Sequence, residues 1–316
     1  MRALLVVNHK ATTTSERSRD VLVRALRSEV DLDVAYTRRR GHGATLARDA
    51  AAAGFGLVVA LGGDGTVNEV VNGLMTAGSE AIGRPALAVV PGGSTNVFVR
   101  ALGLPRDWAE ATGVILEALR DGRQRTIGLG RADERYFTFC AGVGLDAAVV
   151  RRVEQARLRG RTSSPALYLQ ATIGQFFLDA DRRDPAITLD VPGQPELRTE
   201  TGTLAGELAT VIIQNTAPWT YLGDRPLDPN PGASFDLGLD VLALHALRVP
   251  STARTIGQML AGRAGPEGRH VVRLHDVPAV TVSSSRPQPF QLDGDYLGQR
   301  LKVQFVAVPK ALRVLC

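Results

Sequence analysis

One stretch of this chain sets an acid and a hydroxyl among closely spaced glycines: Leu57-Val58-Val59-Ala60-Leu61 runs into Gly62-Gly63-Asp64-Gly65-Thr66 and then Val67-Asn68-Glu69. Such a loop suits phosphate. The apolar run has no polar alternation, which fits a strand buried on both faces, and Val67, Val70, Val71 and Leu74 recur at helical spacing. The glycines therefore join a strand to a helix. The first amides of a helix lack internal partners and carry partial positive charge, so an anion is favoured there, and glycine lets the backbone approach it. Asp64 can hold a magnesium-bound water or a ribose hydroxyl, and Thr66 can cap the helix or bond a phosphate oxygen. A plain turn capped by Thr66, with no ligand, is the bland alternative.

A second unit repeats the pattern. Pro85 to Val90 is again apolar, Pro91-Gly92-Gly93-Ser94-Thr95-Asn96 follows, and Val97, Phe98, Ala101 and Leu102 return to helical spacing. Neither loop has the spacing of a P-loop or of a Rossmann dinucleotide site. Two such units in succession build a parallel sheet whose ligand edge lies at the strands' carboxyl ends.

The elements that must hold these loops are readable on either side. Strands at Ala3 to Val7 and Leu32 to Tyr36 alternate with helices near Ser15 to Ser28, Ala44 to Ala53 and Trp108 to Arg120, the order of a doubly wound parallel sheet. From Gln124 onward short β runs take over, at Gln124 to Leu129, Arg135 to Ala141, Ala186 to Val191, Leu208 to Asn215, Leu239 to Ala246, His270 to Leu274 and Ala279 to Ser283. The expected fold class is α/β plus all-β: a doubly wound parallel-sheet domain over residues 1–123, then an antiparallel, sandwich-like domain from 124 onward.

Composition agrees with a globular protein of about two domains: 316 residues, 44% hydrophobic and 22% charged. No run of about 18 apolar residues occurs, and Met1 to Asn8 reads as a first strand rather than a signal peptide, the pattern of a cytoplasmic protein. Cys140 and Cys316 are the two cysteines, without metal-like spacing. The net charge of +5 comes from arginine, since Lys10, Lys302 and Lys310 are the three lysines. That balance favours anionic partners or reflects arginine spread over solvated faces. No aromatic and basic repeat suited to nucleic acid is present.

Taken together, Gly62 to Thr66 with Asn68-Glu69, Pro91 to Asn96, and the late Leu292-Asp293-Gly294-Asp295 resemble a diacylglycerol kinase catalytic domain of the soluble bacterial lipid kinase type, related to sphingosine kinases. The likeness covers nearly the whole chain. The Gly-Gly-Asp-Gly-Thr element alone is shared with NAD kinases and, more loosely, phosphofructokinases; Asn68-Glu69 and the late Asp-Gly-Asp narrow it. The resemblance implies that residues 300–316 return to the first domain, that ATP and Mg2+ are the cofactors, and that a lipid alcohol is the acceptor.

It also implies residue roles. ATP would meet Asn8, Thr37, Gly62, Gly63, Asp64, Gly65, Thr66, Asn68, Glu69, Gly93, Ser94 and Asn96. After Asn8 the family's Asn-Pro-x-Ser-Gly is replaced by His9-Lys10-Ala11-Thr12, where Lys10 can supply charge and Thr12 a hydroxyl. His42, in Gly41-His42-Gly43-Ala44, starts a helix and is not a base. Asp293, Asp295 and Asp64 are the catalytic candidates, Asp295 standing where the family has its proton-accepting Glu. Asp236 stands where a structural magnesium ligand is expected, with an Asx turn as the alternative. Asp146, after Gly142-Val143-Gly144, would help position the acceptor or the metal network, and Trp219 and Tyr221 line a lipid entrance or simply pack.

The basic stretch from Arg151 to Arg161, followed by Leu167 to Leu178, reads as a membrane-resting amphipathic helix or a solvated face. The expected place is the cytoplasm, peripheral at the inner face of the membrane, with a homodimer left open. An NAD kinase-like enzyme and a noncatalytic lipid- or nucleotide-binding regulator are the alternatives.

Overall fold

The computed structural model of this chain describes residues 1–8, 15–77, 83–159, 185–193, 198–199, 202–203, 207–245, 247–262 and 264–316. They form two compact units, Met1–Leu129 with Pro309–Cys316, and Gly130–Val308. The sequence reading divided the chain at 123 and 299. Lys10, Thr12, Arg161 and the stretch Leu167 to Leu178 lie outside the described residues.

The first unit holds β1 (Arg2–Val7), α1 (Glu16–Arg27), β2 (Asp31–Tyr36), α2 (His42–Ala52), β3 (Leu57–Gly62), α3 (Asp64–Thr76), β4 (Ala86–Pro91), α4 (Val97–Ala101) and α5 (Trp108–Asp121). The strands lie parallel in the order β2-β1-β3-β4, and the returning C-terminal segment runs parallel to β4 with Val314 opposite Leu87. Every residue of β3 and β4 is buried, which explains the unbroken apolar runs. Leu5, Leu22, Leu26, Leu57, Leu61 and Ile115 pack in one core, each buried side chain stabilising the unit by about 1.5–3 kcal/mol. Ser15 caps α1 by accepting from Ser18 N–H, and Asp107 caps α5 by accepting from Ala109 and Glu110 N–H. The chain leaves β1 for β2 on one side and returns to β3 on the other, so the strand order reverses between β1 and β3. Ligands of open α/β sheets bind outside the carboxyl ends at such a switch point.

After β5 (Arg125–Ala132) come β6 (Arg135–Phe137), β7 (Cys140–Gly144), α6 (Leu145–Leu158), β8 (Ile187–Asp190), β9 (Arg198–Thr199), β10 (Gly202–Thr203), β11 (Thr210–Gln214), β12 (Thr220–Leu222), β13 (Arg225–Leu227), β14 (Leu239–Leu244), α7 (Val249–Ala261), β15 (Val271–Val277), β16 (Ala279–Leu292) and β17 (Asp295–Val314). Within the second unit the antiparallel order is β15-β14-β11-β7-β16-β17. Phe137, Phe290 and Phe305 meet edge to face in its core among Val143, Ile213 and Val241. The α/β plus antiparallel β fold class expected from sequence is the one observed.

Three local differences stand out. The single strand expected over Arg135 to Ala141 is two, because the amides of Thr138, Phe139 and Cys140 turn onto the Asp293 carboxylate instead of continuing a ladder. Strand β16 runs on past Ser283 through Pro287 and Pro289, with register shifts at both places. Thr281 to Ser284 pair with β8, and Phe290 to Leu292 pair with β7. Arg151 and Arg152, read as part of a basic stretch leading into a helix, themselves lie in α6.

Candidate active site

At the β1/β3 switch point Asn8 follows β1 and its side-chain amide donates to the Thr66 hydroxyl at 2.9 Å. Thr37 follows β2, and its N–H bonds Val7 O. Helix α3 begins directly after β3, with Gly63 as N-cap and no side-chain cap. Thr66 is therefore not the cap allowed for above; it sits inside the first turn. Its backbone N–H bonds Gly63 O. The two glycine loops touch backbone to backbone, since a Cβ on Gly93 would lie 2.7 Å from Gly63 Cα. No larger residue fits there.

Both acids of the first motif are engaged at helix N-termini. Asp64 accepts from the N–H groups of Val97 and Phe98, each at 3.1 Å, and so anchors α4. Glu69 accepts from Gly41 N–H at 2.7 Å and Gly43 N–H at 2.9 Å, supplying the cap that α2 lacks in its own sequence. Negative charge at helix starts is favourable. Asn68 is fully buried and accepts from the Asn72 amide. Asn96 starts α4 in the left-handed region, φ 48°, and clamps Gly93 by accepting its N–H and donating to its carbonyl. Ser94 is exposed between them, Gly62 ends β3, and Gly65 lies in the first turn of α3. His42 starts α2 and accepts from Arg38 N–H through Nδ1.

In the second unit Asp293 and Asp295 flank Gly294 at the β16–β17 hairpin, and they differ sharply. Asp293 is 4% exposed, and its carboxylate accepts from Thr138 N–H (2.7 Å), Thr138 Oγ1 (2.9 Å), Phe139 N–H (3.0 Å) and Cys140 N–H (3.2 Å). A carboxylate offers about four acceptor directions, so this one is saturated. Asp295 is partly exposed and has the Arg135 guanidinium at 3.7 Å. Of the two, Asp295 is the more exposed.

Asp146 opens α6 and accepts from the Gln291 amide at 2.7 Å. Burial pushes its carboxyl up to about 6 from 3.8, against the smaller opposing effect of the Gln291 bond. A folded-state pKa above the unfolded one means stability is lost as pH rises from about 4 through 6 and stays lost above it, by about 3 kcal/mol for a shift of this size. Asp146→Asn removes the charge and keeps an acceptor oxygen. Urea unfolding should show it more stable than the parent at pH 8, with the difference shrinking toward pH 4; a difference independent of pH would count against the assignment.

Asp236 is exposed, and its backbone N–H bonds Ser234 Oγ, a turn closed by the serine side chain rather than by Asp236. The buried acid of this segment, Asp240, is closed by His275 Nδ1 at 2.8 Å and Asp276 N–H at 3.0 Å. Among the described residues no group of three or more His, Cys, Asp or Glu side chains is arranged to hold a metal ion. Trp219 packs against Ile212, Leu242 and Met259. Gln291, Arg135 and Thr138 were not found from sequence. Gln291 alone left a signal, as a polar residue between the apolar Phe290 and Leu292.

No helix among the described residues is long and apolar enough to cross a membrane. Residues 2–132 match the family described as Diacylglycerol kinase catalytic domain. A protein of Chromohalobacter salexigens named "Probable lipid kinase YegS-like" is 40% identical over 292 residues, covering 92% of this chain and 86% of the relative. The protein of Bacillus subtilis named "Diacylglycerol kinase" is 29% identical over 277 residues, 85% of this chain and 80% of the relative. A crystal structure of a diacylglycerol kinase from Bacillus anthracis shares the fold, with TM-score 0.69 at 20% identity over 99% of this chain and 96% of that one. By motif, length and fold, this chain belongs to the diacylglycerol kinase catalytic domain family.

Proposed function

We infer that the protein is an ATP-dependent lipid kinase that transfers the γ-phosphoryl group of MgATP to a hydroxyl of a lipid such as diacylglycerol. One observation carries the reading: a 13-residue helix, α3, starts without a side-chain cap at the β1/β3 switch point, where Gly63 and Gly93 leave no side chain over its first amides. A polyphosphate suits that place. The names borne by the relatives in Chromohalobacter and Bacillus support a lipid acceptor.

In this reading Asn8, Thr66 and the glycine backbone bind the phosphates, while Asn96 holds the second loop in place. Asp64 and Glu69 act by fixing the starts of α4 and α2 around the nucleotide. Magnesium, when bound with the nucleotide, neutralises phosphate charge; Asp64 is the loop acid that would meet its water shell. The second unit receives the acceptor. Asp295 takes the hydroxyl proton late in transfer, when a carboxylate is basic enough, and Asp293 holds the hairpin. A lipid acceptor places the working protein at a membrane surface, and we assign it to the cytoplasm, peripheral at the inner face.

The test is transfer of label from radiolabelled ATP to a mixed lipid extract with magnesium, with NAD as a parallel acceptor. Label in a lipid product is expected. Label in NADP alone would move the chain to NAD kinase chemistry, and ATP binding with no transfer to either would make it a regulator.

A further inference from the structure

Gln291 is 1% exposed on β16, between the core residues Phe290 and Leu292. A buried amide must be matched at both ends, because each unmatched buried polar atom costs about 1–3 kcal/mol. Both ends are matched by the site. Nε2 donates to Asp146 Oδ2 at 2.7 Å, and Oε1 accepts the N–H of Gly294 at 2.9 Å. Gly294 is the residue between Asp293 and Asp295, in the left-handed region at φ 79°. The space for this chain of bonds is kept by Gly142, where a Cβ would overlap the Asp146 carboxylate and lie 2.9 Å from Gln291 Nε2.

The polarity of the chain runs one way. An ionised carboxylate can only accept, so Asp146 fixes which end of the Gln291 amide faces it, and the opposite end must then present oxygen to Gly294. A flipped amide would set oxygen against carboxylate and N–H against N–H. We propose that Gln291 is a positioning residue for the reaction: held in one orientation by Asp146, it sets the Asp293-Gly294-Asp295 hairpin and thereby the aim of the Asp295 carboxylate. The proposal rests on the reading of that hairpin as the acceptor site. It differs from a role in folding alone, because the quantity controlled is the direction of one side chain, and an error of about 1 Å there costs about a hundredfold in rate.

The bond polarity supplies the test. Gln291→Glu sets a carboxylate against Asp146, whereas Asp146→Asn/Gln291→Glu reverses donor and acceptor: Asn donates to Glu, and the other Glu oxygen still accepts from Gly294. Lipid phosphorylation by the full chain should fall by about 10- to 100-fold in kcat for Gln291→Glu with KM for ATP unchanged, and the double variant should recover about tenfold. Where Gln291→Glu does not fold, the comparison is Asp146→Asn/Gln291→Glu against Asp146→Asn/Gln291→Met, which lacks the Gly294 bond and should be the slower by about tenfold. Parent-like kcat in Gln291→Glu, or no gain in the double variant over its comparator, overturns the proposal. The parent protein assayed alongside separates the two levels: no lipid label from the parent defeats the lipid kinase reading and this proposal with it, whereas label from the parent with no response to these substitutions defeats this proposal alone.

Discussion

Asp295→Asn is expected to lower kcat by about 10²- to 10⁴-fold, the usual contribution of a positioned general base. The thermal midpoint should change little. Asn keeps the size and shape of Asp, and one electrostatic partner weakened is Arg135 at 3.7 Å in a partly exposed pair. Pairs of that kind contribute about 0–1 kcal/mol. The loss should therefore appear in turnover, with ATP affinity retained, because Asp295 lies in the second unit and the proposed nucleotide residues lie in the first. Asp295→Glu restores the longer arm that the resemblance leads one to expect and should keep most of the activity. Steady-state phosphorylation of a lipid acceptor, read beside an unfolding curve for each variant, checks both statements. An Asp295→Asn protein with parent-like kcat would move the base elsewhere.

The parts of the fold legible in sequence are those whose apolar pattern agrees with their length and flanking residues. Leu57 to Leu61 and Ala86 to Val90 are apolar throughout because both faces of β3 and β4 are covered, and their short length ahead of the glycine loops marks them as strands. The glycine loops were legible for a similar reason: Gly63 and Gly93 leave no room for a side chain against each other. What sequence could not give is the use of each acid. Asp64 read as holding a magnesium-bound water or a ribose hydroxyl and Glu69 as part of the ATP site, yet both accept from amides at the starts of α4 and α2, brought to them from 33–34 and 26–28 residues away. Gln291 was hidden because its role depends on Asp146, 145 residues away along the chain. Strand β16 was cut short at Ser283 because Pro287 and Pro289 look like a break, whereas the strand changes partners there.

Asp293→Asn should be the most destabilising of these conservative changes, and the reason is a count of acceptors. The carboxylate satisfies four donors in a site 4% exposed: two from Thr138 and the N–H groups of Phe139 and Cys140. An amide offers one oxygen in place of two, so its NH2 must face either the Thr138 pair or the Phe139 and Cys140 pair, donor against donor. Two buried donors left unmatched cost about 2–5 kcal/mol together, a large share of the stability of an ordinary domain. Backbone strain does not confuse the result, since Asn tolerates the left-handed φ of 48° that Asp293 adopts. Urea unfolding should show the loss at neutral pH, and Asp293→Ala, which leaves all four donors unmatched, should lose more. Activity should be reduced even well below the variant's own midpoint, because the break between β6 and β7 and the hairpin carrying Asp295 are both held by this carboxylate. Parent-like stability in Asp293→Asn would show that the four bonds do not hold the hairpin, and Asp293 would then return to the list of groups free to take the proton.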